Sequence, residues 1–144
     1  MKKIATILAT LALGITLTGI TARADEKTTP LGDKMKVIAG SVKKLKSQIT
    51  NPAQKDSSIQ LVEAAEKAAQ DARTLVPAHA ADIPEADRAK FISDYQAQLD
   101  VLIKQFGTID DALKADKYDD AQKGFNDLAK IKQDGHKAFI KPQN

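Results

Sequence analysis

The sequence contains no cysteine and no tryptophan, and it has only four phenylalanines and two tyrosines among 144 residues. Without cysteine the chain cannot form disulfides or thiolate–metal bonds, so its stability must come from an apolar core and from any bound ligand. Few aromatics, and no lysine- or arginine-rich block in the body of the chain, give no support to nucleic-acid binding. No run alternates between apolar and polar residues, so no strand is predicted.

One long apolar run is present, and it lies at the N-terminus. Met1-Lys2-Lys3 precedes an apolar stretch from Ile4 to Ile20, which is followed by Ala22-Arg23-Ala24. A basic start, an apolar centre and a small-residue cleavage motif predict a secretory signal peptide over residues 1–24. The alternative is a retained membrane anchor, which is less favoured because glycines and threonines interrupt the run. Residues 25–144 are then expected to form a single mature domain.

The leader also carries the basic excess of the sequence. The full chain has a formal net charge of +3 and 22 basic side chains. Lys2, Lys3 and Arg23 account for three of these, so residues 25–144 hold 19 basic side chains against 19 acidic ones. A balanced mature surface provides little long-range steering of a charged partner.

Apolar residues spaced alternately by three and four predict four helices in the mature chain. The helices are expected from Pro30 to about residue 51, from residue 53 or 57 to Val76, from Glu85 to about residue 114, and from about residue 118 to Pro142. Thr29 and Pro30 suit the cap and first position of the first helix. Four such helices with short links predict an all-α protein, an antiparallel up-down-up-down four-helix bundle.

Met35 and His136 fall at positions that such a bundle brings together. Met35 lies about one turn into the first helix and His136 about one turn from the end of the fourth, so both are roughly 6 Å from the same end of the bundle. With helix axes roughly 8–10 Å apart, a thioether and an imidazole can face a thin, flat ligand from opposite sides, as they do in some haem proteins. Taken singly, Met35 is explained as a core residue that fills a gap, and His136 as a solvated residue near a helix C-terminus.

Other polar residues receive simpler interpretations. His79 lies in the connection between Pro77 and Pro84 and is expected to be a solvated loop residue. Asp110 and Asp111 are expected on a solvated helix face. The sequence offers no recognisable set of nucleophile, base and orienting group, which argues against a hydrolase.

Short segments along the mature chain carry a family resemblance. They are Leu31-Gly-Asp-Lys-Met35, Asn51-Pro-Ala-Gln54, Lys117-Tyr-Asp-Asp-Ala-Gln122, and the spacing from Gln122 to His136 and Phe139. In these segments the chain resembles the cytochrome b562 family of periplasmic four-helix-bundle cytochromes. The resemblance implies one non-covalent haem b per chain, with Met35 and His136 as the axial ligands of the haem iron. It further implies a periplasmic monomer that is not an enzyme, passes single electrons to transient redox partners and does not insert into the membrane.

The resemblance also assigns neighbouring positions, and some of them depart from the family pattern. The aromatic positions that pack on haem fall on Tyr95 and Leu99, and Leu99 is not aromatic. Lys132 replaces a family arginine one turn before His136. Its ammonium can still pair with a haem propionate, but it cannot make the two parallel hydrogen bonds that an arginine makes. The related cytochromes c′ attach haem through two cysteines, and those positions are Lys132 and Gly135 here, which excludes covalent attachment.

Two other functions remain open on sequence alone. A haem-free exported bundle that binds a peptide, a misfolded protein or a metal ion explains the helical periodicity equally well. The polar stretch from Lys132 to His136 favours haem instead, because a simple bundle has no reason to bury it. A five-coordinate haem bound by His136 alone would act as a gas sensor or carrier, and Leu99 and Gly135 would loosen its pocket.

Overall fold

The structure is a computed structural model that describes residues 29–140. It contains four α-helices, which are α1 (Pro30–Leu45), α2 (Lys55–Arg73), α3 (Glu85–Lys114) and α4 (Tyr118–Phe139). Two short 3-10 helices, Pro52–Gln54 and Ala78–Asp82, lie in the first two connections. Residues 29–140 contain no strand. The predicted all-α four-helix bundle is therefore confirmed, whereas the predicted signal peptide lies outside the described residues.

The ends of α1 and α2 follow from local side-chain hydrogen bonds. At the start of α1, Pro30 occupies the first helical position and the Thr29 hydroxyl accepts the Gly32 N–H at 3.0 Å. This is the predicted cap. At the end of α2, the Thr74 hydroxyl donates to the Asp71 carbonyl at 2.8 Å and closes the last turn. The helix ends at Arg73, three residues before Val76, where the periodicity predicts the end.

A tight turn joins α3 to α4. Asp116 adopts the left-handed conformation, with φ of 60°, and the Lys117 N–H donates to the Ala112 carbonyl at 2.8 Å. The Asp116 carboxylate accepts hydrogen bonds from Lys55 Nζ at 2.7 Å and from the Tyr118 hydroxyl at 3.1 Å. Both bonds lower the pKa of Asp116, and the bond from Lys55 has the larger effect. The turn is thus fastened both to α2 and to the start of α4.

Consecutive helices pack along one another, whereas α1 and α4 have few close backbone approaches within the described residues. The fully buried large side chains come from the first three helices and the turns that follow them, namely Leu45, Ile49, Val62, Phe106, Ile109 and Leu113. The small residues Ala121 and Gly124 of α4 face this main core. The bundle is consequently well filled at one end. Three of its sides are formed by the packed pairs of consecutive helices, and the fourth side lies between α1 and α4. We call this fourth side the α1–α4 seam.

Asp110 departs from its predicted place on a solvated face. It is only 8% exposed, and its Oδ2 accepts a hydrogen bond from Lys114 Nζ at 2.6 Å. The same ammonium donates to Glu63 of α2 at 3.1 Å. These hydrogen bonds raise the pKa of Lys114 to about 12. The prediction was wrong for Asp110 because α2 covers its side of α3, and Lys114 provides the compensating charge. Asp111 is exposed as expected.

Candidate functional site

A second, smaller apolar cluster lies at the end of the bundle where α1 begins and α4 ends. Its buried members are Ala72, Tyr95 and Leu99, and the partly buried residues packed against them include Leu31, Met35 and Phe139. We call these six residues the terminal cluster. All four helices contribute to it. The structure therefore brings Met35 and the last turn of α4 to the same end of the bundle.

Tyr95 anchors this cluster. It is 5% exposed, and its hydroxyl donates to the Ala72 carbonyl of α2 at 3.1 Å. Burial raises the pKa of Tyr95 to about 12, so the hydroxyl stays protonated and able to donate near neutral pH. The Tyr95 ring meets Phe139 edge to face at 5.6 Å, and Phe139 meets Phe91 in the same way at 5.4 Å. Phe139 thus holds the end of α4 against α3.

Hydrogen bonds show which flank of α1 faces α2. Lys34 Nζ donates to Asp71 Oδ2 of α2 at 2.7 Å, and Ser41, one heptad later, is buried on the same flank. Successive helical residues are rotated by about 100°. The buried residues of α1 form a stripe along the helix, and the flank that faces α2 borders this stripe on one side. Met35 therefore borders the stripe on its other side, nearer α4. Its side chain is half-buried against the terminal cluster.

The same reasoning orients α4. The Gln98 side-chain amide of α3 donates to the Ile131 carbonyl at 3.1 Å, and a Cβ added to Gly135 would lie 3.6 Å from Gln98 Cγ. Ile131 and Gly135 therefore mark the flank of α4 that faces α3. His136 is rotated by about 100° from Gly135, away from this flank, and we infer that it lies on the flank nearer α1. Lys132 shares this flank, and both side chains are exposed.

Met35 and His136 thus border the α1–α4 seam from its two sides at the same end of the bundle. Thioether sulfur and neutral imidazole nitrogen are both ligands of haem iron. Tyr95, Leu99 and Phe139 supply an apolar surface beside them. Lys132 adds an exposed cation one turn from His136. The residues present fit a flat, largely apolar group that has an iron centre and an anionic edge.

His79 differs from its expected environment. Its side chain is 24% exposed, its ring packs edge-on against Phe91 at 5.6 Å, and its Nδ1 lies 3.2 Å from Asp82 Oδ2. Arg88 donates to the carbonyls of Ala80 and Ile83, which folds the connection back onto α3. The prediction of a solvated loop residue was therefore wrong. The bounding prolines signal a loop but do not show that it is tied down by a side chain from the next helix.

Two kinds of feature are absent from residues 29–140. No three His, Asp or Glu side chains in this range are grouped so that they could hold a metal ion. None of the helices in this range combines the length and the apolar character needed to cross a bilayer.

A four-helix bundle that carries a methionine and a histidine beside one seam, over an apolar surface, has the architecture of a bundle cytochrome. The sequence profile of the cytochrome b562 family matches residues 30–139. The match covers all four helices, and the chain belongs to the cytochrome b562 family. No curated protein and no solved structure matches the chain closely enough to count as a relative.

Family membership establishes the general function. The chain is a haem-binding electron-transfer cytochrome, its haem is of the b type, and it is an electron carrier rather than a classical enzyme. The prediction made from the short sequence segments is confirmed at this level.

Proposed function

We propose that Met35 and His136 are the two axial ligands of one non-covalently held haem b, and that the protein carries single electrons in the periplasm. The observation that supports this proposal is the rotation of the two helices, which neighbouring hydrogen bonds indicate. This rotation turns Met35 toward the flank of α1 nearer α4 and His136 toward the flank of α4 nearer α1, at the same end of the bundle.

Each neighbouring residue has a definable role in this site. Haem, when bound, supplies the one-electron redox centre. Met35 would bind the iron from the side of the terminal cluster, and a thioether ligand would raise the reduction potential relative to a second nitrogen ligand. Tyr95, Leu99 and Phe139 would keep water from that side of the haem. Lys132 stands at the exposed rim, where its ammonium can pair with a propionate as a point charge.

The chemistry of the chain supports non-covalent attachment and an electron-carrier role. No cysteine is available to form a thioether link to haem. Two axial bonds and apolar packing would then hold the haem, and extraction with acid and organic solvent would remove it. With both axial positions filled by protein, no coordination site remains for a substrate or for dioxygen.

The setting of the protein is inferred from the family and from charge. The basic and apolar N-terminal stretch supports export, and periplasmic location is typical of the family. A mature chain with balanced charge favours weak, transient encounters with redox partners over tight complexes. We expect a monomer with one haem.

Substitution of each ligand tests the proposal. In Met35→Ala, the reduced haem protein should change from a six-coordinate spectrum to a five-coordinate one that binds carbon monoxide. In His136→Ala, the dissociation constant of haem should rise by about tenfold or more, because a metal–ligand bond is lost. Absorption spectra during haemin titration, before and after dithionite, measure both effects.

Matched controls separate ligation from packing. Leu31→Ala removes another terminal-cluster side chain from α1 and should leave the reduced spectrum six-coordinate. His79→Ala removes the other histidine and should leave haem affinity unchanged within about twofold, since that imidazole packs on Phe91. An unchanged spectrum in Met35→Ala would remove Met35 from the ligand set. Undiminished binding in His136→Ala, with loss in His79→Ala, would make His79 the ligand.

A further inference from the structure

Two glutamines of α3 make equivalent hydrogen bonds to the backbone of α4. The side-chain amide of Gln98 donates to the Ile131 carbonyl at 3.1 Å, and that of Gln105 donates to the Gly124 carbonyl at 2.8 Å. Both bonds are partly buried. The two donors are one heptad apart on α3, and the two acceptors are one heptad apart on α4 in the opposite direction. The bonds are therefore two rungs of one antiparallel helix contact.

A glycine makes room for each glutamine. A Cβ on Gly124 would lie 3.1 Å from Gln105 Nε2 and 2.9 Å from Ile109 Cγ1. A Cβ on Gly135 would lie 3.6 Å from Gln98 Cγ and 3.8 Å from Gln98 Nε2. The first glycine is required by a close approach of the helices. At the second glycine an added Cβ would make ordinary contact with Gln98, and a side chain larger than alanine at position 135 would displace this glutamine.

The rung made by Gln98 lies next to His136 in the chain. The Ile131 carbonyl is also the acceptor of the Gly135 N–H within α4, so the added bond acts on the helical turn that leads into His136. Beyond Leu128, most side chains of α4 are exposed. The contacts of these last turns with α3 include the Phe139 ring and the Gln98 bond. A rotation of α4 by one residue, about 100°, would turn His136 away from the α1–α4 seam.

We propose that Gln98 is a positioning residue for His136, and that its hydrogen bond to Ile131, accommodated by Gly135, fixes the rotation of the last turns of α4. The imidazole is thereby held toward the α1–α4 seam before any ligand binds. The inference rests on the proposed function only in naming His136 as a haem ligand. The Ile131 carbonyl keeps its partner within α4 when Gln98 is replaced, so loss of the rung leaves no unsatisfied buried group. Its effect should fall on position more than on overall stability.

Methionine substitutions at the two rungs provide the test in the haem-loaded protein. Methionine has a shape similar to glutamine but no donor. Gln98→Met should raise the dissociation constant of haem by about three- to tenfold, the range set by one hydrogen bond, and add a five-coordinate, carbon monoxide-binding fraction to the reduced spectrum. The matched control is Gln105→Met, which removes the equivalent hydrogen bond. It should lower the thermal midpoint by about as much as Gln98→Met does, and it should leave the haem spectrum and the haem affinity unchanged. Equal spectral effects of the two substitutions, or none in Gln98→Met, would overturn the proposal.

A haem-free measurement separates this inference from the assignment of His136. In Gln98→Met, backbone amides of residues 135–139 should exchange with solvent about three- to tenfold faster, and in Gln105→Met they should not. Faster exchange with unchanged haem binding would overturn the positioning role of Gln98. If His136→Ala also leaves haem binding intact, the proposed ligand set has failed, whereas the exchange result still shows whether the rung orders these turns.

Substitutions of Gly135 give a second, independent comparison. In Gly135→Ala the added Cβ makes ordinary contact with Gln98, so the haem spectrum should be unchanged. Gly135→Leu should displace Gln98 and reproduce the spectral change of Gln98→Met. A six-coordinate spectrum in folded Gly135→Leu, with affinity equal to that of Gly135→Ala, would contradict the role of this rung.

Discussion

Two glycines in the middle of helices differ in what surrounds them, and this difference predicts opposite effects of alanine. A Cβ on Gly124 would lie 2.9 Å from Ile109 Cγ1, whereas a Cβ on Gly107 would have nothing within 4 Å. Gly124→Ala should lower the free energy of unfolding by about 1–3 kcal/mol through overpacking. Gly107→Ala should raise it by about 0.5–1 kcal/mol, because alanine loses less backbone entropy.

Urea unfolding of the haem-free protein, followed by circular dichroism, measures both effects. Gly107→Ala serves as the control for helix propensity. If Gly124→Ala were as stable as Gly107→Ala, the close approach of α3 and α4 at this glycine would be wrong.

The ion pair between α1 and α2 predicts a dependence on acid. The hydrogen bond from Lys34 is the main cause of the lowered pKa of Asp71. A carboxylate with a lowered pKa in the folded state contributes stability above its unfolded pKa of 3.8 and loses it as pH falls through the folded pKa. In Asp71→Asn, the urea midpoint should therefore fall less steeply than in the wild type from about pH 5 downward.

Lys34→Met should flatten the profile in part, because it removes the main cause of the lowered pKa while Lys67 continues to lower it. The double variant should match Asp71→Asn, since both lack the carboxylate. An Asp71→Asn profile parallel to that of the wild type would show that this pair does not carry a native-state pKa shift.

Single residues also show what the sequence could and could not predict about the site. The helical position of Met35 and His136 can be counted along the chain, so their placement at the same end of the bundle was predictable. The burial of Asp110 depends on Lys114, which bonds to it and to Glu63 of α2. The packing of His79 depends on a connection that Arg88 ties back to α3 through the Ala80 carbonyl. The Gln98 rung depends on the rotation of two helices, which periodicity does not specify to within one residue.

At the scale of the helices, the number and direction of the elements were predictable and some of their ends were not. The spacing of apolar residues continues past Leu45 to Ile49, yet α1 ends at Leu45 and the chain continues in turns. Ile49 is still buried. Apolar spacing reports burial, and burial continues into a turn that packs on the core. Helix ends depend on local backbone and capping hydrogen bonds, which the spacing of apolar residues does not report.

The α3–α4 turn predicts an order of stability among variants at Asp116. Its φ of 60° favours glycine over any residue with a Cβ. Asp116→Ala loses the bonds to Lys55 and Tyr118 and keeps the unfavourable backbone conformation, so its urea midpoint should fall below that of the wild type. Asp116→Gly loses the same bonds but relieves the backbone.

Asp116→Gly should therefore unfold at a higher urea concentration than Asp116→Ala. The pair is its own control, since both variants lack the carboxylate. The reverse order would contradict the left-handed conformation at this position.

At the scale of the whole molecule, the packing is uneven from one end to the other. The largest fully buried side chains fill the main core, whereas the other end holds only the small terminal cluster. Within the described residues, α1 and α4 leave their shared side without close backbone packing. The sequence hints at this arrangement where the apolar pattern of α4 turns polar at Lys132. This uneven packing is consistent with the proposed haem site at the end where α1 begins and α4 ends.

Haemin titration of the purified mature protein tests the central proposal most directly. The proposal predicts saturation at one haem per chain and, after addition of dithionite, a sharp six-coordinate spectrum with split α and β bands that carbon monoxide does not alter. A reduced spectrum that is five-coordinate and binds carbon monoxide would contradict axial ligation by both Met35 and His136. Absence of any Soret shift would contradict a haem site between α1 and α4.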